Sequence, residues 1–366
     1  MNYSAEFRSR PLVQGLAERI AQLTAGLQHP LTFMEVCGTH TMAIYQYGLR
    51  SLLPPQVRLI SGPGCPVCVT PVNYVDRAVA YARRPQTIVA SFGDMLRVPG
   101  SSSSLLQERA RGADVRIVYS SLDAVALAAR HPEQQVVFLG VGFETTAPTV
   151  AASILAAAGQ GLHNYFVLAA TKTIPVPMQV LSADPELAID GYLCPAHVST
   201  VIGGDAYRFL AEEQGVPCVV TGFEPADILQ GLAMLVAQKM ERRSVVENQY
   251  RRFVTASGNA KALALLNEVF TPIDSNWRGI GTIPHSGLAI ANKYAAFDAE
   301  KMLPVEVEES REAEGCLCGE VLKGKVAPCD CPLFGTVCTP EDPVGACMVS
   351  SEGSCAAAYK YGQNSR

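Results

Sequence analysis

Apolar residues recur at Leu12, Val13, Leu16, Ile20, Leu23 and Leu27, close to the spacing of one helix face. Residues 10–26 are therefore predicted as an amphipathic helix packed on the body of the protein, ended by His29-Pro30. Short apolar runs follow. Residues 31–36, 57–61, 86–91, 115–119 and 135–139 read as strands; 42–51, 71–82, 101–111 and 122–130 read as the helices between them. Strands alternating with helices predict a parallel sheet covered on both faces. A second set begins at Gly142-Phe143-Glu144-Thr145-Thr146-Ala147-Pro148, with a helix through 158 and strands near 165–169, 187–193 and 216–220. Gly222-Phe223-Glu224-Pro225-Ala226 echoes the first Gly-Phe-Glu turn, which suggests two related halves. Helices are expected to about residue 239 and over most of 244–269. Trp277, Tyr294 and Phe297 are expected in a compact connecting region, and 306–314 in an acidic loop. The predicted fold class is α/β: two related parallel-sheet domains, 27–140 and 141–255, with 1–26 and 256–366 forming a smaller helical and cysteine-rich domain.

Composition narrows the class. Of 366 residues, 48% are hydrophobic and 17% charged, so the chain can bury more than one core. A net charge of −5 argues against a nucleic-acid surface, which needs a basic stripe. The apolar stretch 147–158 is broken by Pro148, Thr149 and Ser153 and is no membrane span. Residues 1–7 lack the basic and apolar regions of a signal peptide, so a cytoplasmic protein is expected. Twelve cysteines then need an explanation, because a reducing compartment discourages structural disulfides and favours metal or redox chemistry.

The cysteines are unevenly placed. Cys37, Cys65 and Cys68 lie early, Cys194 and Cys218 stand alone, and seven fall between Cys316 and Cys355. The first three, with Asp94, fall at predicted strand ends, where ligands bind in open parallel sheets. Cys37-Gly38-Thr39-His40-Thr41 puts a thiol before a helix start, which lowers a thiol pKa, and His40 stands three residues on. A metal-binding or nucleophilic thiolate and a buried cysteine with a capping threonine both fit. In Gly62-Pro63-Gly64-Cys65-Pro66-Val67-Cys68, glycine and proline make a stiff turn that presents two sulfurs together. That pair suits a redox disulfide or half a metal site. A thioredoxin-like pair opens a helix directly, whereas Val69-Thr70-Pro71 intervenes here. Asp94 and Glu144 follow strands and are candidate cofactor-binding carboxylates, with helix capping as the alternative. His197 and His285 read as structural. The C-terminal cysteines sit among Gly, Pro, Thr and Ser, a segment with little core that needs a staple. Zinc or an iron–sulfur cluster would each use four thiolates.

Met34-Glu35-Val36-Cys37-Gly38-Thr39-His40-Thr41, the Gly62–Cys68 turn and Gly142–Pro148 together resemble the HypD family of hydrogenase maturation proteins. Cys338-Thr339-Pro340 and Gly345-Ala346-Cys347-Met348-Val349-Ser350-Ser351-Glu352-Gly353-Ser354-Cys355 resemble it as well, and the likeness runs over about 10–361. The resemblance implies a scaffold for assembling the Fe(CN)2CO group of [NiFe]-hydrogenase. A HypC-type small chaperone and a HypE-type cyanide donor would be its partners, and a [4Fe-4S] cluster its resident cofactor. Carried over, Cys37 binds a transient iron carrying cyanide and carbon monoxide, with His40 close by, and Cys65 and Cys68 are the redox pair. Four of Cys316, Cys318, Cys331, Cys338, Cys347 and Cys355 hold the cluster, all but Cys316 being the leading candidates, and the other two form a disulfide relay. Cys329 has no counterpart. Soft thiolates suit a low-spin ferrous centre, and a cluster linked to a dithiol can deliver electrons. The same cysteines also fit a cluster-driven thiol–disulfide oxidoreductase acting on a partner protein, or a zinc-stapled binding module.

Overall fold

The computed structural model describes residues 6–362, so residues 1–5 of the stretch read for a leader lie outside it. Nine strands are parallel and fall into two sheets. They are β1 (Leu31–Glu35), β2 (Val57–Ser61), β3 (Thr87–Ser91), β4 (Val115–Ile117), β5 (Gln135–Gly142), β6 (Tyr165–Thr171), β7 (Gly191–Pro195), β8 (Cys218–Thr221) and β9 (Val246–Asn248). One sheet has the order β2-β1-β7-β8-β9 and the other β4-β3-β5-β6. Two parallel-sheet α/β units with a cysteine-rich C-terminal region are what the alternating pattern predicts.

The chain divides its strands between the sheets differently from the division at residue 140. It lays down β1 and β2, leaves to build the whole second sheet, then returns to place β7 beside β1 (Phe33 opposite Gly191). The stretch 27–140 is thus shared between both sheets. Apolar periodicity reports that a strand is buried; it carries no information on which edge the strand joins. The two Gly-Phe-Glu turns do occupy equivalent places. One follows β5 and leads to the helix Ala147–Gly159, and the other follows β8 and leads to the helix Pro225–Met240.

Three apolar groups hold this arrangement. The largest joins residues from both sheets, among them Met34, Ile60, Val89, Leu139, Phe166 and Tyr192, and extends into the cysteine-rich segment. A second covers the far side of the four-stranded sheet, and a third packs the helix Arg10–Thr24 on Pro225–Met240. The expected connecting region contains an antiparallel hairpin, β10 (Phe270–Trp277) and β11 (Gly281–Ile290). Its middle is largely exposed, so no apolar alternation marks it, whereas Trp277 at the tip is fully buried and donates to Ser286 Oγ at 2.8 Å. Residues 244–269 are not mainly helical. Gly258 adopts φ +72°, Asn259 caps, and only Ala260–Val269 is helix. Among the described residues no helix is long and apolar enough to cross a membrane.

Candidate metal and thiol site

Cys37 stands where β1 ends and the helix Gly38–Gln46 begins. The backbone N–H of Cys37 donates to Glu35 Oε2 at 3.2 Å, and Thr41 Oγ1 donates to Glu35 Oε1 at 2.5 Å. Glu35 is fully buried; burial pushes its carboxyl up to about 7 against the pull of Ser61, Thr41, the Cys37 amide and Arg50. The helix start expected to lower the Cys37 pKa is present, and the Thr39 and His40 amides do pull that way. Burial outweighs them. With the charges of Glu352 and Glu35 it drives the Cys37 thiol up to about 12.

His40 is equally buried. Its Nε2 donates to the carbonyls of Gly222 at 3.0 Å and Thr221 at 3.2 Å, so the proton sits on Nε2. Nδ1 keeps its lone pair and has no partner among the described residues. Burial lowers the ring pKa to about 4, so the imidazole is neutral. Phe223, of the second Gly-Phe-Glu turn, lies between His40 and His197, at 4.7 and 4.1 Å between ring centroids.

The Cys65/Cys68 turn packs directly on Cys37. Gly38 N donates to Gly64 O at 3.0 Å, and a Cβ on Gly64 would stand 2.3 Å from Cys37 N. Cys65 and Cys68 are joined as a disulfide with Cα atoms 5.3 Å apart. Cys65 is the N-cap of a one-turn helix, Pro66–Val69, and its sulfur accepts from Cys68 N at 3.2 Å. The pair therefore does open a helix directly, because Pro66 is preset for a first helical position. Thr70-Pro71 ends that turn before the next helix, Val72–Arg83.

The C-terminal segment reaches the same place. Thr39 Oγ1 donates to Glu352 Oε1 at 2.8 Å, and a Cβ on Gly38 would meet Glu352 Cβ at 2.3 Å. Glu352 is pushed up by burial, with a contribution from the charge of Asp94, which is exposed on the turn after β3. Glu144 lies elsewhere. It is buried, its Oε1 accepts from Ile174 N at 2.9 Å, and no described contact ties it to Cys37.

Six cysteines, Cys316, Cys318, Cys331, Cys338, Cys347 and Cys355, line a single cavity with Phe334, Gly345 and Met348. The Sγ atoms of Cys318 and Cys347 stand 2.9 Å apart. A Cβ on Gly345 would come within 2.8 Å of Cys316 Sγ, so the cavity wall requires glycine there. Cys329 is exposed and outside the ring. Among the described residues no three His, Cys, Asp or Glu side chains form a single-ion site. Cys68 Sγ faces Ala346 O at 3.9 Å, one residue before Cys347, so the disulfide turn touches the wall of this cavity.

Residues 11–362 match the family described as "Hydrogenase formation hypA family", HypD. A hydrogenase maturation factor HypD of Rhizobium leguminosarum bv. viciae is 47% identical, covering 99% of this chain and 96% of its own. The chain is also 47% identical to the HypD factors of Rhodobacter capsulatus and Escherichia coli K12, over 99% of its length, covering 98% and 97% of theirs. The chain belongs to the HypD family. As a HypD-type hydrogenase maturation factor it works among the proteins of that maturation pathway.

In this HypD chain, sequence reasoning missed Glu35 and Glu352 as neighbours of Cys37, and Phe223 as a neighbour of His40. Glu35 and Glu352 lie within quoted motifs, but a carboxylate two residues before a thiol is no recognised signal. Phe223 could have been found from its echo of Phe143. Cys194 and Cys218, isolated in sequence, lie on neighbouring strands of the five-stranded sheet, fully buried, and are structural.

Proposed function

We propose that Cys37 is the protein ligand on which a mononuclear ferrous ion, the cargo, receives cyanide and carbon monoxide, and that Cys65/Cys68 is the redox pair beside it. The observation that carries this reading is the backbone contact between the Cys37 turn and the Cys65/Cys68 turn. A thiol held up to about 12 stays protonated until a cation arrives; iron then stabilises the thiolate, and the proton leaves as the metal binds. The unpartnered Nδ1 of neutral His40 is a second candidate donor. Asp94 and Glu352 supply acidic groups at the mouth, where a HypC-type chaperone would add its thiolate and a HypE-type donor its cyanide.

The six-cysteine cavity fits a [4Fe-4S] cluster as resident cofactor. Two sulfurs 2.9 Å apart are too close to ligate separate irons of one cluster and suit a disulfide-forming pair. We therefore assign Cys316, Cys331, Cys338 and Cys355 as ligands and Cys318/Cys347 as the relay, in place of the ligand set favoured from sequence. When bound, the cluster supplies one-electron chemistry. The chain's own part is to hold Cys68 against Ala346 and to keep both dithiol pairs buried from competing thiols.

The test is anaerobic purification with the chaperone partner, followed by infrared spectroscopy. Bands of iron-bound cyanide and carbon monoxide are expected in the parent chain and absent in Cys37→Ala, with visible cluster absorption kept in both. The Cys65–Cys68 disulfide favours a second reading, a cluster-dependent thiol–disulfide oxidoreductase acting on a partner protein. That reading requires no such bands in any preparation.

A further inference from the structure

A cavity of about 230 Å³ opens between the edge strand β2 and the stretch 321–328. It shares no lining residue with the cysteine cavity. Its walls carry Arg50 and Arg58 together with Tyr45, Ser61 and Ser354, and no Asp or Glu lines it. Three separate parts of the chain supply these groups. Arg58 and Ser61 come from β2, Arg50 from the turn Leu49–Leu52, and Ser354 opens the helix Ser354–Tyr361, which has no side-chain cap. Gly324 closes the far wall. It has φ +76°, and a Cβ there would stand 3.2 Å from Ser61 O, so the stretch approaches β2 this closely only with glycine.

The two arginines are uncompensated. Among the described residues neither has a carboxylate oxygen within 4.0 Å. The adjoining cavity, which shares Arg58 and Gly324, makes the contrast: there Lys325 is met by Asp184 at 2.8 Å and by Glu186. The fold thus supplies two carboxylates to the lysine and none to the arginines. Arg50 is also fixed in place. Its Nη2 donates to Ser61 Oγ at 3.2 Å, and its guanidinium carbon lies 4.4 Å from the centre of the Tyr45 ring. Its Nε is buried without a partner, so most of its hydrogen-bonding capacity is unused.

We propose that this cavity is a binding site for a phosphate-type oxyanion, held between Arg50 and Arg58. Guanidinium groups match such anions with paired, charge-assisted hydrogen bonds. Two guanidinium forks and the hydroxyls of Tyr45, Ser61 and Ser354 offer more donors than the two oxygens of one carboxylate accept. The four oxygens of phosphate can face all of these walls. The site uses neither Cys37 nor the cysteine cavity, so it stands apart from the iron and cluster chemistry proposed above.

The experiment is calorimetric titration of inorganic phosphate into the full-length chain, purified anaerobically with its metal, in low-salt buffer free of other oxyanions. One saturable site is expected, weakening as ionic strength rises. Arg50→Gln and Arg58→Gln are each expected to weaken binding by about tenfold or more. Arg58 is exposed, so its variant is expected to fold like the parent even if Arg50→Gln disturbs Ser61; circular dichroism checks both. Arg130→Gln removes an exposed arginine elsewhere and is expected to leave the affinity unchanged. Unsaturable binding, or an affinity unaltered in Arg58→Gln, overturns the proposal. Equal weakening in Arg130→Gln would mark a general effect of net charge and overturns it too. Acetate is expected to bind at least about tenfold more weakly than phosphate; equal binding would mark a carboxylate site and overturns the assignment to phosphate. Infrared bands at Cys37 are read separately, so failure here leaves the iron reading standing.

Discussion

At Cys37 two effects of opposite sign act on one sulfur, and magnitude decides between them. Helix-start amides favour the thiolate, but burial beside two carboxylates costs more, and the thiol rises to about 12. In the metal-free chain, alkylation of Cys37 at neutral pH should be about a thousandfold slower than that of an unstructured cysteine peptide, reflecting its small thiolate fraction. The rate should keep climbing with pH past the point where the peptide levels off, and peptide mass mapping over time checks both. Glu144 gives a cleaner linkage. Burial raises its carboxyl to about 7 from an ordinary 4.5. Below the lower value it is protonated folded and unfolded and costs nothing. As pH rises toward 7 the unfolded chain releases the proton and the folded chain keeps it, so stability is lost until the folded group ionises, by roughly 3 kcal/mol in all. Glu144→Gln should therefore melt higher relative to the parent at about pH 8 than at about pH 5, by a few degrees. An unchanged difference between the two pH values would contradict the assignment. Residue types and spacing were enough to single out Cys37, His40, Cys65 and Cys68 in the sequence. The sign of the shift at Cys37 was not legible, because it depends on residues far along the chain such as Glu352.

The elements that meet at the site do so through glycine. Gly64 lets the disulfide turn approach the start of the helix Gly38–Gln46 so closely that any side chain would overlap Cys37 N. Gly64→Ala is expected to cost about 1–3 kcal/mol in chemical denaturation, and to abolish iron retention because the two turns separate. The cluster absorption should persist, since Gly64 is not among the residues that line the cysteine cavity. The analogous change at Gly279 meets backbone as well as positive φ, and no rotamer relieves either. Most strands were readable as apolar runs, as were the two Gly-Phe-Glu turns, since each is a local pattern with a local cause. The β10–β11 hairpin was not readable. Its exposed residues include Pro272, Asp274 and Asn276, and only Trp277 signals that its tip is anchored in the core.

The whole molecule is interleaved, and its assembly should show it. β1 is a central strand whose neighbours are β2, close in sequence, and β7, which arrives only after the entire second sheet has been made. Parallel pairing over so long a separation pays loop-closure entropy before it gains contacts. The shared core binds the two sheets further, since Met34 and Ile60 from one pack in the same group as Val89 and Leu139 from the other. A fragment ending at residue 140 would hold β1 and β2 without β7, and β3, β4 and β5 without β6. It would expose the faces that Tyr192, Cys194 and Phe166 cover in the full chain. That fragment is expected to lack cooperative unfolding and to show the collapsed amide spectrum of a disordered chain. The full-length protein cut in the exposed acidic loop near Glu309 should keep its fold and its cluster through non-covalent contacts, because both sheets lie entirely before the cut. Nuclear magnetic resonance of the fragment and gel filtration of the nicked protein test the two halves of this statement. A fragment 1–140 that folds cooperatively would mean that the β1–β2 pair is stable without β7, against the topology described here.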